Sequence, residues 1–444
     1  MASGSSAEPI FPRLSSGPRK MDAEAVARHQ RGRLEGAMVD AVYRHGYWET
    51  TLNELVTLAR VSKSTFYEHF DSKQHCFLCT FDDIVDEASR RIGEAFASPS
   101  DLDERLLEGL RRFTSLATEE EAAAYLATVE SLALGSAAVP HRDRAAARFG
   151  SLIRSSFERS SPEHEVSELT VWGIVAGLRN CVYQRMRTET IKELPAMAEP
   201  IASWVLSYSR PPGEVARRAA AAAAEPRPPE PMVAQEGPET PDWDEPPDSP
   251  RCREALGQRE RIIRAAARVG VEKGYEALSI PAIATAAAVS NQTFYDHFPG
   301  KREAFVAAFD ALAADALRVV SGAFAAELGR PDAGRPEAIG VGLRALLDHI
   351  AGDRLFARIA FFELPTAGPA ALDHADVVLG GFTSYLESEQ DDPEVEPPVP
   401  KGIGEAIGGG VWAVIQHEIN SGGLAQLPGR APEIAEFTMT PFGD

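Results

Sequence analysis

Cysteine is scarce. Four thiols in 444 residues make no disulfide framework, which excludes the small, stapled, secreted class. Long apolar runs are missing as well, none approaching the ~18 residues that suggest a membrane span. Residues 1–9 lack the basic and apolar regions of a signal peptide, so a cytoplasmic protein with no membrane partner is the expectation. Basic charge is in deficit: 45 Lys and Arg against 66 Asp and Glu leave a net charge of −21. That excludes a protein that coats nucleic acid indiscriminately. There is no Walker or zinc signature and no Ser- or Cys-based nucleophile motif, so no catalytic residue, metal ligand or cofactor is assigned. What is present is ordinary globular material, 44% hydrophobic and 25% charged, able to bury a core in each of several domains.

One stretch is written twice. Thr65-Phe66-Tyr67-Glu68-His69-Phe70 returns as Thr293-Phe294-Tyr295-Asp296-His297-Phe298, 228 residues on. At that shift residues 46–82 align without a gap to 274–310, with 15 of 37 positions identical. Gly46/Gly274, Ser62/Ser290, Lys73/Lys301 and Asp82/Asp310 are among them. The chain is an internal duplication. Charge follows the repeat: residues 251–303 carry nine Arg/Lys against six Asp/Glu and residues 13–73 ten against eight. These are basic islands in an acidic chain, the distribution expected if only those parts meet phosphate.

The order of elements predicts two helical units. Residues 1–22, rich in Ser, Pro and Gly, read as a disordered arm. An amphipathic helix over about 23–45, with Val26, Leu34, Met38, Val42 and Tyr43 as its apolar positions, stops at Gly46. Thr51 and Glu54 fit a capping box at the head of a short helix through Ala59, with Leu55 and Val56 or Leu58 inward. After a tight turn at Arg60-Val61, Ser62 caps a helix from Lys63 to Phe70. A long helix follows from Lys73 to about Phe96. Short helix, tight turn, short helix is a helix-turn-helix, at 51–70 and again at 279–298. Ser62, Lys63, Ser64 and Thr65 occupy the first turn of its second helix, the end that points at base edges. Ser290, Asn291, Gln292 and Thr293 are their counterparts. Tyr67, His69 and Lys73, with Tyr295, His297 and Lys301, carry donors suited to phosphate oxygens. Thr51 and Ser279, heading the preceding helices, complete the phosphate set.

The bodies read as helical too, over 83–210 and 311–444. Expected helices are 101–116, Glu119–Leu134, Arg142–Arg159, Val166–Thr188 and Pro195–Tyr208. In the second unit they are Arg253–Lys273, 301–327, 336–350, 353–364, 369–388, Lys401–Asn420 and a shorter final one, Pro432–Met439. Gly173 and Gly177 would let a neighbouring helix come close, so Val166–Thr188 and the helix after it read as an association surface. Residues 211–250, with 11 prolines and the alanine run Ala219–Ala224, read as a linker that does not pack. The heads span 23–82 and 251–310.

Together these features resemble the TetR family of bacterial transcriptional regulators. Ser62-Lys-Ser-Thr-Phe-Tyr67-Glu-His-Phe70 followed by Lys73, and Ser290-Asn-Gln-Thr-Phe-Tyr295-Asp-His-Phe298 followed by Lys301, carry the resemblance. It implies an all-α fold of two units, each a three-helix DNA-binding head on a helical ligand-binding and dimerisation body. It also implies a double-stranded DNA partner, a small-molecule effector and repression by occlusion. Family members pair as homodimers on palindromes. Two units in one chain suggest instead an intramolecular pseudo-dimer. Tyr, His and Lys are kept while Lys63-Ser64 becomes Asn291-Gln292, which predicts a non-palindromic operator. Two alternatives stay open: a homodimer with one working head and the other unit as scaffold, and, more remotely, a helical enzyme. Phe113, Tyr125, Trp172, Phe356, Phe361, Phe362 and Trp412 are candidates for effector pockets or core. Cys76-Phe-Leu-Cys79 spells CxxC, but its counterparts Ala304 and Ala307 point to packing. His141, His164, His349, His374 and His417 show no ligand spacing.

Overall fold

The computed structural model describes residues 23–97, 101–160, 165–225, 242–390 and 402–443. Every regular element among them is helical, the all-α fold expected. The expected arm at 1–22, the insert Asp391–Pro400 and residues 226–241 of the expected linker lie outside the described residues. The chain forms two compact units. The first comprises the described residues up to Val166 together with Leu178–Ser209, and the second comprises Ser167–Gly177 together with Arg210 onward.

In the first unit, α1 (Ala23–Glu49) is broken at Gly46, whose φ of +77° a side chain would strain. Then come α2 (Leu52–Ala59), α3 (Lys63–His69) and α4 (Lys73–Phe96). Leu34, Met38, Val42, Leu55, Phe66, Phe70 and Phe77 make the core of this head. Val26, Tyr43 and Leu58, read as apolar-face positions, are exposed. Half of the expected capping box forms: Thr51 Oγ1 accepts the Glu54 N–H at 3.2 Å, while the Glu54 carboxylate turns to His45 Nε2 at 3.1 Å.

The body of this unit continues with α5 (Leu102–Glu119), α6 (Glu121–Thr128), α7 (Val139–Ser160), α8 (Glu168–Arg187) and α9 (Ala198–Ser207). The single helix expected over Glu119–Leu134 is instead α6 followed by a 3₁₀ segment, Glu130–Ala138, kinked at Gly135 (φ +52°). Glu121–Arg159 does contain an 18-residue window apolar enough for a membrane span, with mean hydropathy 1.4. The kink and the buried Glu130 divide it into separate elements.

The second unit corrects the linker. The alanine run is helical: α10 (Glu214–Ala224) buries Ala216, Ala219, Ala222 and Ala223 and packs on two helices given below. Alanine is the best helix former and its small side chain admits close approach, so composition alone misled. Next come α11 (Pro250–Ala255), α12 (Gln258–Lys273), α13 (Ile280–Ala286), α14 (Asn291–His297), α15 (Lys301–Leu328), α16 (Arg335–Gly352), α17 (Arg354–Arg358), α18 (Pro369–Gln390), α19 (Ile403–Asn420) and α20 (Ala431–Met439). The partners of α10 are α16 and α20. A Cβ on Gly340 of α16 would collide with the Ala219 backbone. Arg218 holds Glu337 with two hydrogen bonds of 2.6 and 3.0 Å.

The expected basic helix Arg253–Lys273 is two helices, because Leu256 takes an extended conformation before Gly257 caps α12. The expected helix 353–364 is α17, then a π-helical segment Ile359–Glu363, then a 3₁₀ turn Leu364–Ala367. The final helices are near-equal: α9 has 10 residues and α20 has 9, each preceded by a seven-residue 3₁₀ segment. The shortening expected of the last helix is therefore not seen.

Candidate nucleic-acid interface

Each head builds the same exposed helix end. Ser62 Oγ accepts the Thr65 N–H at 3.0 Å and Ser290 Oγ accepts the Thr293 N–H at 3.0 Å, so both serines close the first turn. Each also lies 2.9 Å from its threonine's hydroxyl. These four residues thus shape the helix end as well as lining it. Lys63, Ser64, Asn291 and Gln292 are exposed there. Gln292 donates to Asp296 Oδ1 at 3.1 Å.

The turn before α3 and α14 is held open in the same way twice. Arg60 and Ala288 adopt left-handed φ of 50° and 51°. Arg33 donates to the Arg60 carbonyl and Arg261 to the Ala287 carbonyl, both at 3.1 Å. Phe66 and Phe294 are wholly buried beneath their helices. The tyrosines that follow them stand out, Tyr67 57% and Tyr295 55% exposed. His69 Nε2 lies 3.5 Å from Gln30 Oε1, and His297 Nε2 lies 3.5 Å from Gln258 Oε1. Thr51 is exposed but spends its hydroxyl oxygen on the cap. Ser279 sits at the N-cap of α13 and makes no side-chain cap bond. Pro281 at N2 has no N–H to offer it.

The two lysines differ from expectation. Lys73 Nζ donates to the carbonyls of Tyr47 (2.8 Å) and Thr50 (2.9 Å) and sits 4.1 Å from the Tyr47 ring centroid. Lys301 Nζ donates to Tyr275 (3.1 Å), Glu276 (3.2 Å) and Leu278 (2.9 Å). Burial pushes both lysines' pKa down. Each ties the start of the long helix to the turn before the helix-turn-helix. An ammonium has three donors, so Lys301 commits all of them within its own head.

Sequence reading missed a second repeated set that joins each body to its head. Glu130 Oε2 accepts the Tyr47 N–H at 2.7 Å, and Glu363 Oε2 accepts the Tyr275 N–H at 3.0 Å. Both carboxylates are buried, and burial pushes the Glu130 carboxyl up. His141 Nδ1 lies 2.9 Å from Asp82 Oδ1, and His374 Nδ1 lies 2.9 Å from Asp310 Oδ1. Heads repeat at a shift of 228, but these body residues repeat at 233 (363 minus 130, 374 minus 141). An ungapped comparison cannot find them.

The second unit also contains a partly open cavity. Phe324, Leu346, Phe356, Phe361, Leu386 and Trp412 are among its walls, and no charged side chain lines it. Its few hydroxyls are engaged, Thr383 with the Gly380 carbonyl and Tyr385 with Ser321. Such a space suits an uncharged apolar molecule. Of the aromatic candidates, Phe356, Phe361 and Trp412 reach it. Phe362 instead packs under Arg358, and Tyr125 donates to Glu130 at 3.1 Å. Cys76 is buried in the first head, and burial pushes its thiol up, the packing role expected of CxxC.

Residues 39–78 and 262–308 match the family described as bacterial regulatory proteins, tetR family. The HTH-type transcriptional regulator TcmR of Streptomyces glaucescens is 34% identical over 116 residues, covering 23% of this chain and 51% of that protein. The chain thus spans about half the length of this curated relative. Among solved structures, FadR from Bacillus subtilis in complex with stearoyl-CoA is 15% identical with a TM-score of 0.37, covering 39% of this chain and 97% of that one. FadR from Bacillus halodurans is 16% identical at the same TM-score, covering 44% and 97%. Two stretches of the chain, 39–78 and 262–308, are thus each similar to the tetR family of bacterial regulatory proteins.

Proposed function

We propose that the chain is a sequence-specific, DNA-binding transcriptional regulator. In this reading it is a ligand-responsive repressor that works as an intramolecular pseudo-dimer in the cytoplasm, on the nucleoid when its operator is bound. The observation that carries the reading is a matched pair of helix ends. Tyr67 and Tyr295 stand equally exposed, while the residues one turn earlier differ, Lys63-Ser64 against Asn291-Gln292. Phosphate contacts position and base contacts specify. Two heads with one grip and two readings fit an operator whose half-sites differ.

The pseudo-dimer is supported by the make-up of the second compact unit, which takes in Ser167–Gly177. Within it, Trp172 lies 4.1 Å from the His417 ring, and a Cβ on Gly173 would come within 2.7 Å of Phe437. A glycine is needed for that approach, as expected of an association helix. Ligand response is supported by the apolar cavity.

Selection of bound sequences from randomised DNA tests the reading, followed by titration of the recovered site. Tyr67→Phe and Tyr295→Phe should each weaken binding to every sequence and lower the salt slope by about one contact. Exchanging Lys63-Ser64 for Asn-Gln should make the recovered site symmetric. A palindrome recovered by the unaltered chain, bound by a particle of twice 47.9 kDa, would overturn the pseudo-dimer and favour the homodimer.

A further inference from the structure

The π-helical segment Ile359–Glu363 touches both the cavity and the second head. Resting on the ligand-responsive reading above, we infer that this segment relays occupancy of the cavity to the head, with Glu363 as the positioning residue.

On the cavity side, Phe361 is a wall residue and stacks on Trp412 with ring centroids 4.2 Å apart. Its carbonyl has lost the usual donor four residues on, because residue 365 is proline. Gln416 Nε2 of α19 supplies the missing bond at 2.6 Å. The Leu364 N–H reaches back five residues to the Ile359 carbonyl, the mark of one extra residue in the turn. Such a segment has slack. Tightening it to an α-turn would rotate the residues beyond it by about 100°.

On the head side, Glu363 closes the segment. Its Oε1 is held by Arg358 at 3.1 Å, and its Oε2 accepts the Tyr275 N–H at 3.0 Å. Tyr275 follows Gly274, whose φ is +81°, and its carbonyl is one of the three that hold Lys301 at the start of α15. A molecule that displaces Phe361 therefore acts, two residues on, upon the carboxylate that fixes the hinge of the head. The first unit makes the same contact, Glu130 on the Tyr47 N–H, from a 3₁₀ turn in a different sequence context. Two solutions to one contact mark the contact itself as the conserved feature of the duplication.

The test is hydrogen exchange on the full chain, with and without N-phenyl-1-naphthylamine, an uncharged apolar fluorophore whose binding is read by quenching of Trp412. Bound fluorophore should raise exchange over residues 274–278 by about threefold or more. Glu363→Gln should bind the fluorophore within about twofold of the parent yet lose that response. Gln416→Ala, which leaves the Tyr275 contact intact, should blunt it. Unchanged exchange with fluorophore bound, or a full response in Glu363→Gln, overturns the relay. If quenching is absent, or survives in Trp412→Phe, the cavity reading falls and takes the relay with it.

Discussion

Glu35 marks a chemical difference between the two heads. It is buried in α1, bonded to Arg31 at 2.7 Å, and burial and the neighbouring Asp83 push its carboxyl up to about 7. The corresponding positions in the second head are Ile263 and Ala311. A carboxyl whose folded pKa is raised contributes stability that is fully present below its unfolded pKa and lost as pH rises through the folded one. The first head should therefore lose up to about 3 kcal/mol between pH 4.5 and 7, while the second shows no such loss from this position. Urea unfolding of the parent and Glu35→Gln at several pH values checks this, the variant losing less stability across the window than the parent. Lys301→Met should unfasten three carbonyls and destabilise the second head by about 1–3 kcal/mol, read from its thermal transition. The gap-free alignment of 46–82 with 274–310 shows Lys73 and Lys301 as a repeated pair. It could not say what they hold, because their partners are backbone carbonyls that carry no sequence signal.

Helix ends and turns were more legible than helix interiors. Gly46, Ser62, Ser72 and Ser290 stop or start helices where local chemistry places them, since one glycine or one hydroxyl is enough to do so. The turns before α3 and α14 are exceptions, with Arg60 and Ala288 in left-handed backbone. Ala288→Gly should stabilise the second head by up to about 1 kcal/mol, measurable as a raised midpoint in denaturant, because glycine pays no Cβ penalty there. Composition misled at α10, where an alanine run between prolines reads as spacer until α16 offers Gly340 to receive it. Gly340→Leu should cost about 2 kcal/mol or more by forcing α10 off α16, seen as loss of the second unit's cooperative transition. The π-helical turn had no readable signal beyond Pro365, since the bond that completes it comes from Gln416 of α19, outside the segment.

At the scale of the molecule, the duplication was legible and the division into units was not. The repeat boundary suggests a cut between 210 and 251, whereas the second compact unit also claims Ser167–Gly177, the N-terminal half of α8. Tertiary packing decides such a boundary, and glycine spacing at Gly173 and Gly177 was its only trace in the sequence. Gly173→Leu should drive a side chain into the Phe437 ring. It should destabilise the second unit by about 2 kcal/mol or more, and calorimetry that resolves two transitions would show only the second one fall.

The place of α10 in the chain has a consequence for synthesis. Its buried alanine face is covered by α16 and α20, which begin at Arg335 and Ala431. A ribosome making 5–20 residues each second needs roughly ten seconds or more to travel from α10 to α20. Until α16 is made, an eleven-residue helix must survive on intrinsic propensity, which at this length is marginal even for alanine. The second body can close only after α20 has been made, so both heads are already in place while that body still lacks the last helix that covers α10.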